Sequence, residues 1–253
     1  WTWERKKKSW VKPINIIATS SWLFDCAKKS SLMKNWPIHL IPYPIDINIW
    51  KPINKLHARK ILGINNSKKV ILYGAVGGTR DPRKGSKPLE EALKILSNSF
   101  FKNNETNVQI LVFGESSNKK FINNLSVSFL GSLSDDISLK VLYSAADVMV
   151  VPSIQEAFGQ TASEAHACAT PVVGFRIGGL IDIITHKETG YLANPYDPES
   201  LAYGIKWVIE DNERNKKLSE KARLKAEKKW NSKLIAKKYM EIYSSTLNLT
   251  LGT

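Results

Sequence analysis

The sequence predicts an α/β protein built on a doubly wound parallel sheet, and two observations carry that prediction. From about Lys69 onward, short apolar runs alternate with segments of helical periodicity, the pattern of strands joined by crossover helices. The run Val148-Met149-Val150-Val151 is apolar throughout and stops at Pro152-Ser153, which suits a parallel strand buried on both faces. No internal repeat or low-complexity linker breaks this order.

The elements follow one another along the chain. Ile14 to Thr19 reads as a strand, Ser20-Ser21 as a helix cap, Trp22 to Met33 as a helix and Ile38 to Ile41 as a short apolar run. A strand and a helix alone cannot bury their apolar faces. This segment is therefore expected to pack on the rest of the molecule, to pair with another chain, or to be poorly ordered. The main unit opens with a strand over Val70 to Gly74, then a helix over Ser86 to Ser97 and a strand over Val108 to Gly114. A short strand, Val127 to Leu130, ends at Gly131, and Ser134 caps a helix that runs to Ser144. After the Val148 strand come an Ala-rich helix over Gln160 to Ala169, a strand over Val172 to Phe175 and a helix near Leu180 to Thr185. The run around Leu192 and a helix over Pro198 to Glu210 close the unit, and a helical tail from Asn212 to Leu247 is broken near Trp230-Asn231-Ser232.

With 253 residues the chain can form one large or two small domains with a real core. Its two cysteines, Cys26 and Cys168, are far apart and in no C-x-x-C pattern, so neither a disulfide framework nor a zinc site is indicated, and both thiols are expected to be packed. No apolar stretch approaches the ~20 residues of a membrane span, and no signal peptide is visible. The net charge of +14 fits nucleic acid, anionic lipid or a nucleoside diphosphate alike. Its lysines form short clusters such as Lys6-Lys7-Lys8 and Lys228-Lys229 on amphipathic segments, which read first as solvated helix faces and next as a membrane-facing patch. Nucleic acid is not supported, because no aromatic-basic RNA motif, zinc finger or basic zipper is present.

The chemistry concentrates between Pro152 and Pro171. Glu156 lies beyond the carboxyl end of a buried strand, and Glu164, eight residues later, falls about one turn into the following helix. Both carboxylates can line one crevice and accept hydrogen bonds from sugar hydroxyls. Between them Gly159 allows a tight turn, and the helix start near Phe158 to Thr161 offers free N–H groups and a positive dipole end to phosphate. An acidic helix terminus plus a solvated Glu is the plainer reading of two such residues. A second loop, Gly74 to Gly85, follows the first strand of the unit, where open α/β sheets bind ligands, and its Lys84 is a compact cation suited to a diphosphate. The four histidines have neither metal-ligand spacing nor a nucleophile partner, and His166 reads as structural.

Taken together, these stretches resemble family 4 glycosyltransferases of the GT-B fold over almost the whole chain. Glu156 to Glu164 matches the E-x7-E signature, Ile41-Pro42-Tyr43-Pro44-Ile45-Asp46 the interdomain linker, and Asp81-Pro82-Arg83-Lys84-Gly85 the phosphate loop. Thr170-Pro171-Val172-Val173, Gly178-Gly179-Leu180-Ile181-Asp182 and Thr189-Gly190-Tyr191-Leu192 follow in the family's order. The resemblance implies a C-terminal GT-B donor domain with a Rossmann-like sheet over residues 69–211. It implies a remnant of a second Rossmann-like domain over 1–45, a linker and helix over 46–68, and returning helices over 212–253. Opening on Trp1 rather than Met, the chain reads as a fragment whose earlier strands precede it.

The same resemblance implies a cytoplasmic, retaining hexosyltransferase of polysaccharide biosynthesis, peripheral at the inner face of the membrane. It would move sugar from a nucleoside-diphosphate donor to a glycan or lipid-linked acceptor without a metal or other cofactor. Carried over by position, Glu156 and Lys84 are catalytic, Glu156 holding the donor sugar and Lys84 the leaving diphosphate. Ala157, Phe158, Gly159 and Gln160 face sugar and phosphate, Glu164 binds ribose, and Gly131 and Leu133 neighbour the base. The family's phosphate-loop arginine is replaced by Gly78, so Arg80 or Arg83 supplies the second cation, or Lys84 and the helix start act alone. Asp182 stands where the family commonly has Glu. Acceptor contacts fall to the preceding half, so this chain is expected to bind donor and to transfer sugar poorly. A nucleotide-sugar epimerase and a non-catalytic sugar-nucleotide-binding module are the alternatives.

Overall fold

The computed structural model describes residues 1–74, 81–99, 107–116, 121–122 and 125–251. The first segment comprises α1 (Thr2–Ser9), β1 (Ile16–Ala18), α2 (Ser21–Lys29) and β2 (Ile38–Leu40). Strands β1 and β2 pair in parallel, Ile17 opposite His39. Ser20 caps α2 as expected, its hydroxyl accepting the Leu23 N–H. The helix stops at Lys29 rather than Met33 because Ser30 is extended and its hydroxyl accepts the N–H groups of Leu32 and Met33, a local alternative to continuing the helix. Helix α1 was not anticipated: it buries no residue and so lacks the apolar stripe that marks a helix in sequence.

The chain continues through α3 (Lys55–Ile61), β3 (Lys69–Gly74), α4 (Ser86–Ser99), β4 (Val108–Phe113), β5 (Phe121–Ile122), β6 (Leu125–Phe129) and α5 (Asp136–Ala145). It goes on through β7 (Val148–Val151), α6 (Gln160–Ala167), β8 (Val172–Phe175), α7 (Leu180–Ile183), β9 (Gly190–Ala193), α8 (Pro198–Ile209), α9 (Asn212–Lys229) and α10 (Ser232–Leu251). The expected α/β sheet is present, in the order β5-β6-β4-β3-β7-β8-β9, with every pairing parallel except that of the short edge strand β5. Strand alternation sends Val70, Leu72, Met149 and Val151 to a core with α5 and α6, and Ile71, Val148, Val150 and Val173 to a core with α4 and α8.

Local chemistry shifts several boundaries. Asp135, not Ser134, caps α5, its carboxylate accepting the Ser138 N–H; an anionic acceptor also suits the helix dipole. Helix α6 ends at Ala167 because Ala169 turns left-handed, at φ 59°. Helix α7 ends at Ile183, where Ile184 becomes extended. Strand β5 is two residues long, too short to show a period.

Successive strands step outward from β3 through β4 and β6 on one side and through β7, β8 and β9 on the other. The order therefore reverses between β3 and β7, and the crevice beyond their carboxyl ends is where such sheets take ligands. The first segment closes over this edge: the Ser20 hydroxyl donates to the Ala157 carbonyl and the Ser21 N–H to Asp182, both at 2.6 Å. At the break between α9 and α10, the Ile45 N–H donates to the Trp230 carbonyl and the Ser232 N–H to the Ile45 carbonyl. Farther along α10, Thr246 accepts from the Asn15 amide, so the tail returns to the first segment. Of the two thiols expected to be packed, Cys168 is buried but Cys26 is exposed.

Candidate active site

Two loops build the crevice. The first leaves β3 and ends in a tight turn at Pro82–Lys84, capped by Asp81, which accepts the Arg83 N–H. Gly85 is left-handed at φ 73°, and a Cβ there would sit 1.8 Å from the Pro152 carbonyl oxygen. Only glycine lets the turn approach the second loop this closely. The Ile154 N–H donates to the Arg83 carbonyl at 2.8 Å and fastens the two loops together.

That contact brings Lys84 to Glu156: Nζ lies 2.9 Å from Oε2, and the Ser153 hydroxyl donates to the same oxygen at 3.2 Å. The second loop then turns at Gly159, left-handed at φ 101°, where a Cβ would press on Leu180 at 2.8 Å. No side chain caps the start of α6, so its first N–H groups face the crevice as an anion-binding end.

One turn deeper, Glu164 is 8% exposed and accepts a 3.0 Å hydrogen bond from the Tyr143 hydroxyl. Burial pushes the Glu164 carboxyl above its ordinary range, and the Tyr143 hydrogen bond partly offsets this. Burial, reinforced by the facing carboxylate, pushes the Tyr143 phenol well up, so it remains a donor. His166 lies behind the site rather than in it: fully buried, it stacks on Trp230, and its Nε2 donates to the Thr189 carbonyl. Burial and the nearby Lys225 cation lower its imidazole to about 3, so it is neutral, in the Nε2–H tautomer, and structural as expected.

These groups meet around a cavity of about 510 Å³. Of the residues singled out in the sequence, Lys84, Leu133, Glu156, Ala157, Phe158, Gly159, Gln160 and Glu164 line it. Gly131 does not; it is left-handed, and its N–H donates to the Glu115 carbonyl, setting the turn that delivers Ser132 and Leu133. Gly78 and Arg80 lie outside the described residues. Arg83 points elsewhere: its guanidinium pairs with Asp81, which it holds below the usual carboxylate range, and it lines a neighbouring hollow instead. Asp182 is absent from the cavity wall because Ser21 engages both of its oxygens.

Sequence reasoning missed Tyr43, Tyr73 and Tyr143 as lining residues. Tyr43, within the quoted linker motif, packs edge-on against Phe158 with ring centroids 5.3 Å apart. Tyr143 had no sequence signal beyond its helix, since its partner is set by the packing of α5 on α6. Among the described residues no three His, Cys, Asp or Glu side chains gather as a metal site would.

Comparison with known proteins shows the family and the fold. The family described as "Glycosyl transferases group 1" matches residues 54–225. An uncharacterised glycosyltransferase of Methanocaldococcus jannaschii is 31% identical over 218 residues, 82% of this chain and 53% of the relative. Sucrose-phosphate synthase from Thermosynechococcus elongatus superposes with TM-score 0.78 at 28% identity, over 93% of this chain and 59% of that one. HepE of Anabaena, solved with UDP and glucose, shares the fold at TM-score 0.71 and 24% identity, over 90% of this chain and 62% of its own. The chain thus spans about half the length of the curated relatives it matches.

Proposed function

The chain belongs to the group 1 glycosyl transferases, of GT-B fold, and from that premise we propose that it is the donor-binding part of a retaining hexosyltransferase acting on a glycan or lipid-linked acceptor. The observation that carries this reading is the meeting of Lys84, Glu156, Glu164 and the uncapped start of α6 in one cavity at the point where the strand order reverses. In this reading residues 69–211 are the donor unit, 1–45 belong to a second Rossmann-like unit, and 212–253 return to it.

The donor's diphosphate lies between Lys84 and the first N–H groups of α6, both of which favour negative charge. Glu156 accepts hydrogen bonds from the sugar and, through its ion pair, fixes the ammonium beside the scissile bond. Glu164 accepts from ribose hydroxyls, braced by Tyr143. Leu133 and its neighbours flank the base. As the bond between sugar and diphosphate breaks, charge grows on the leaving oxygen, where the lysine and the helix dipole stabilise it. No metal enters this scheme, and binding measured with and without EDTA tests that. Among the described residues no helix is long and apolar enough to cross a membrane. Contact with anionic lipid through the lysine clusters is part of the proposal, and co-sedimentation with anionic but not neutral vesicles is the expected result.

Calorimetric titration with UDP, GDP and ADP is the deciding experiment. One nucleotide binds selectively, UDP being the first candidate because HepE was solved with it, and Glu164→Ala weakens that binding about tenfold. Binding of none, or binding indifferent to the substitution, overturns the reading.

A further inference from the structure

The wall of the first cavity is not built only by the elements from β3 onward. Tyr43 lines it, and Tyr43 belongs to the segment that follows β2. That segment is pinned on both sides of the tyrosine. The Ile41 N–H donates to the Ala18 carbonyl at 2.9 Å, the Ile45 N–H donates to the Trp230 carbonyl at 2.7 Å, and both isoleucines are buried. Between the pins the chain reads Pro42-Tyr43-Pro44. Each proline fixes its own φ, and Pro44 disposes Tyr43 to extended backbone. The ring is therefore presented with little backbone freedom left to lose when a ligand arrives.

Tyr43 is 50% exposed, although the aromatic rings behind it are buried. Phe158, 5.3 Å away and edge to face, and Trp230, a further 6.5 Å beyond, are each 3% exposed. An edge-to-face contact engages at most one face of the Tyr43 ring, so the other is free to meet a ligand. Phe158 also sets which part of the cavity the ring serves. It lies between Glu156, which pairs with Lys84, and the uncapped start of α6, whereas Glu164 and Tyr143 are one turn of α6 deeper. An aromatic face carries partial negative charge, which disfavours a phosphate oxygen and favours the partly positive C–H groups of a pyranose. The diphosphate already has Lys84 and the N–H groups of α6.

We propose that Tyr43 is a specificity-determining residue that packs on a C–H face of the donor's hexose. The assignment rests on the first cavity being the donor site. The ring selects by shape: a hexose that presents C–H groups to it is held, and one with a bulky substituent on that face is not. Part of the choice of sugar is then made by a side chain anchored to β1 and to the break between α9 and α10, outside the loops that hold the diphosphate.

Calorimetry of the full chain with UDP and UDP-glucose, GDP and GDP-mannose, and ADP and ADP-glucose tests the assignment. The quantity read is the affinity for the sugar nucleotide relative to that for its free nucleotide. Tyr43→Leu keeps an apolar side chain against Phe158 but removes the flat face. It lowers that ratio about fivefold and leaves the affinity for the free nucleotide unchanged. Tyr43→Phe, which retains the ring, keeps the ratio of the unmodified chain. A ratio that Tyr43→Leu does not move overturns the proposal, as does an equal loss for both ligands, since the ring would then serve only the packing of Phe158. A fall in the ratio for Tyr43→Phe also overturns it, because the hydroxyl rather than the face would make the contact. Binding of no free nucleotide to the unmodified chain sinks the donor reading, and this assignment with it; the free-nucleotide titrations alone separate that result from the others.

Discussion

Glu164 and His166 sit two residues apart on α6 and are perturbed in ways that give opposite pH dependence. The Glu164 carboxyl is raised above its ordinary 4.5 by burial, so the folded state holds its proton to higher pH than the unfolded chain does. Its contribution to stability therefore falls as pH rises above 4.5. Glu164→Gln is expected to gain stability relative to the unmodified chain as pH rises above 4.5, as thermal melts over a pH series would show, while losing nucleotide affinity. Burial depresses His166 from 6.5 to about 3, so its contribution is present above 6.5 and is lost as pH falls toward 3. Guanidinium melts at pH 7 and pH 5 should show the unmodified chain losing on the order of 2 kcal/mol through this group, and His166→Phe losing less. Removing only the Tyr143 hydroxyl, as Tyr143→Phe, leaves the buried Glu164 without that donor. Its expected cost is about 1–2 kcal/mol in the same melts. The spacing of the two glutamates was legible in sequence; their environments were not, because burial depends on what packs above α6.

At the scale of elements, the N-terminus of α2 is a latch on the loop that carries Glu156. Ser20 is fully buried and spans from the Leu23 N–H to the Ala157 carbonyl, next to Glu156. Ser21 gives both its N–H and its hydroxyl to Asp182, 161 positions away in sequence. Ser20→Ala loses the cap and leaves the Ala157 carbonyl without this donor, an expected loss of about 1–2 kcal/mol with weaker nucleotide binding, measurable by calorimetry on the folded variant. Asp182→Glu should release α2 without disturbing the sheet, and limited proteolysis would then cut within residues 10–40 faster than in the unmodified chain. Ser20 was recognisable as a cap from its place before a helix. That Asp182 binds Ser21 rather than lining the first cavity was not recognisable, since a carboxylate after Gly-Gly carries no label of its partner.

Across the whole molecule, α3, β3, β7 and α9 converge on Asp147. Its carboxylate accepts from Lys55, Arg59 and the Val70 N–H, and Asn215 donates to its carbonyl. Burial alone would raise this carboxyl, but Lys55, Arg59 and the hydrogen bonds together hold it below its ordinary 3.8. The stability it confers is thus present above 3.8 and lost as pH falls below. Asp147→Ala leaves Arg59, with 5% of its side chain exposed, buried and without this carboxylate, and should cost about 3–5 kcal/mol in chemical denaturation. In sequence Asp147 only interrupted an apolar run. What the sequence by itself determined was the succession of strands and helices from β3 onward and the two loops at the mouth of the sheet that carry Lys84, Glu156 and Glu164. Both are written in local periods, caps and loop chemistry that act within a few positions. The tertiary structure decided that Lys84 pairs with Glu156, that Tyr143 braces Glu164, that Arg83 turns from the first cavity, and that Trp22 and Tyr196 share a second. Each of these joins residues far apart in the chain, and only the packing of the elements brings such side chains into range.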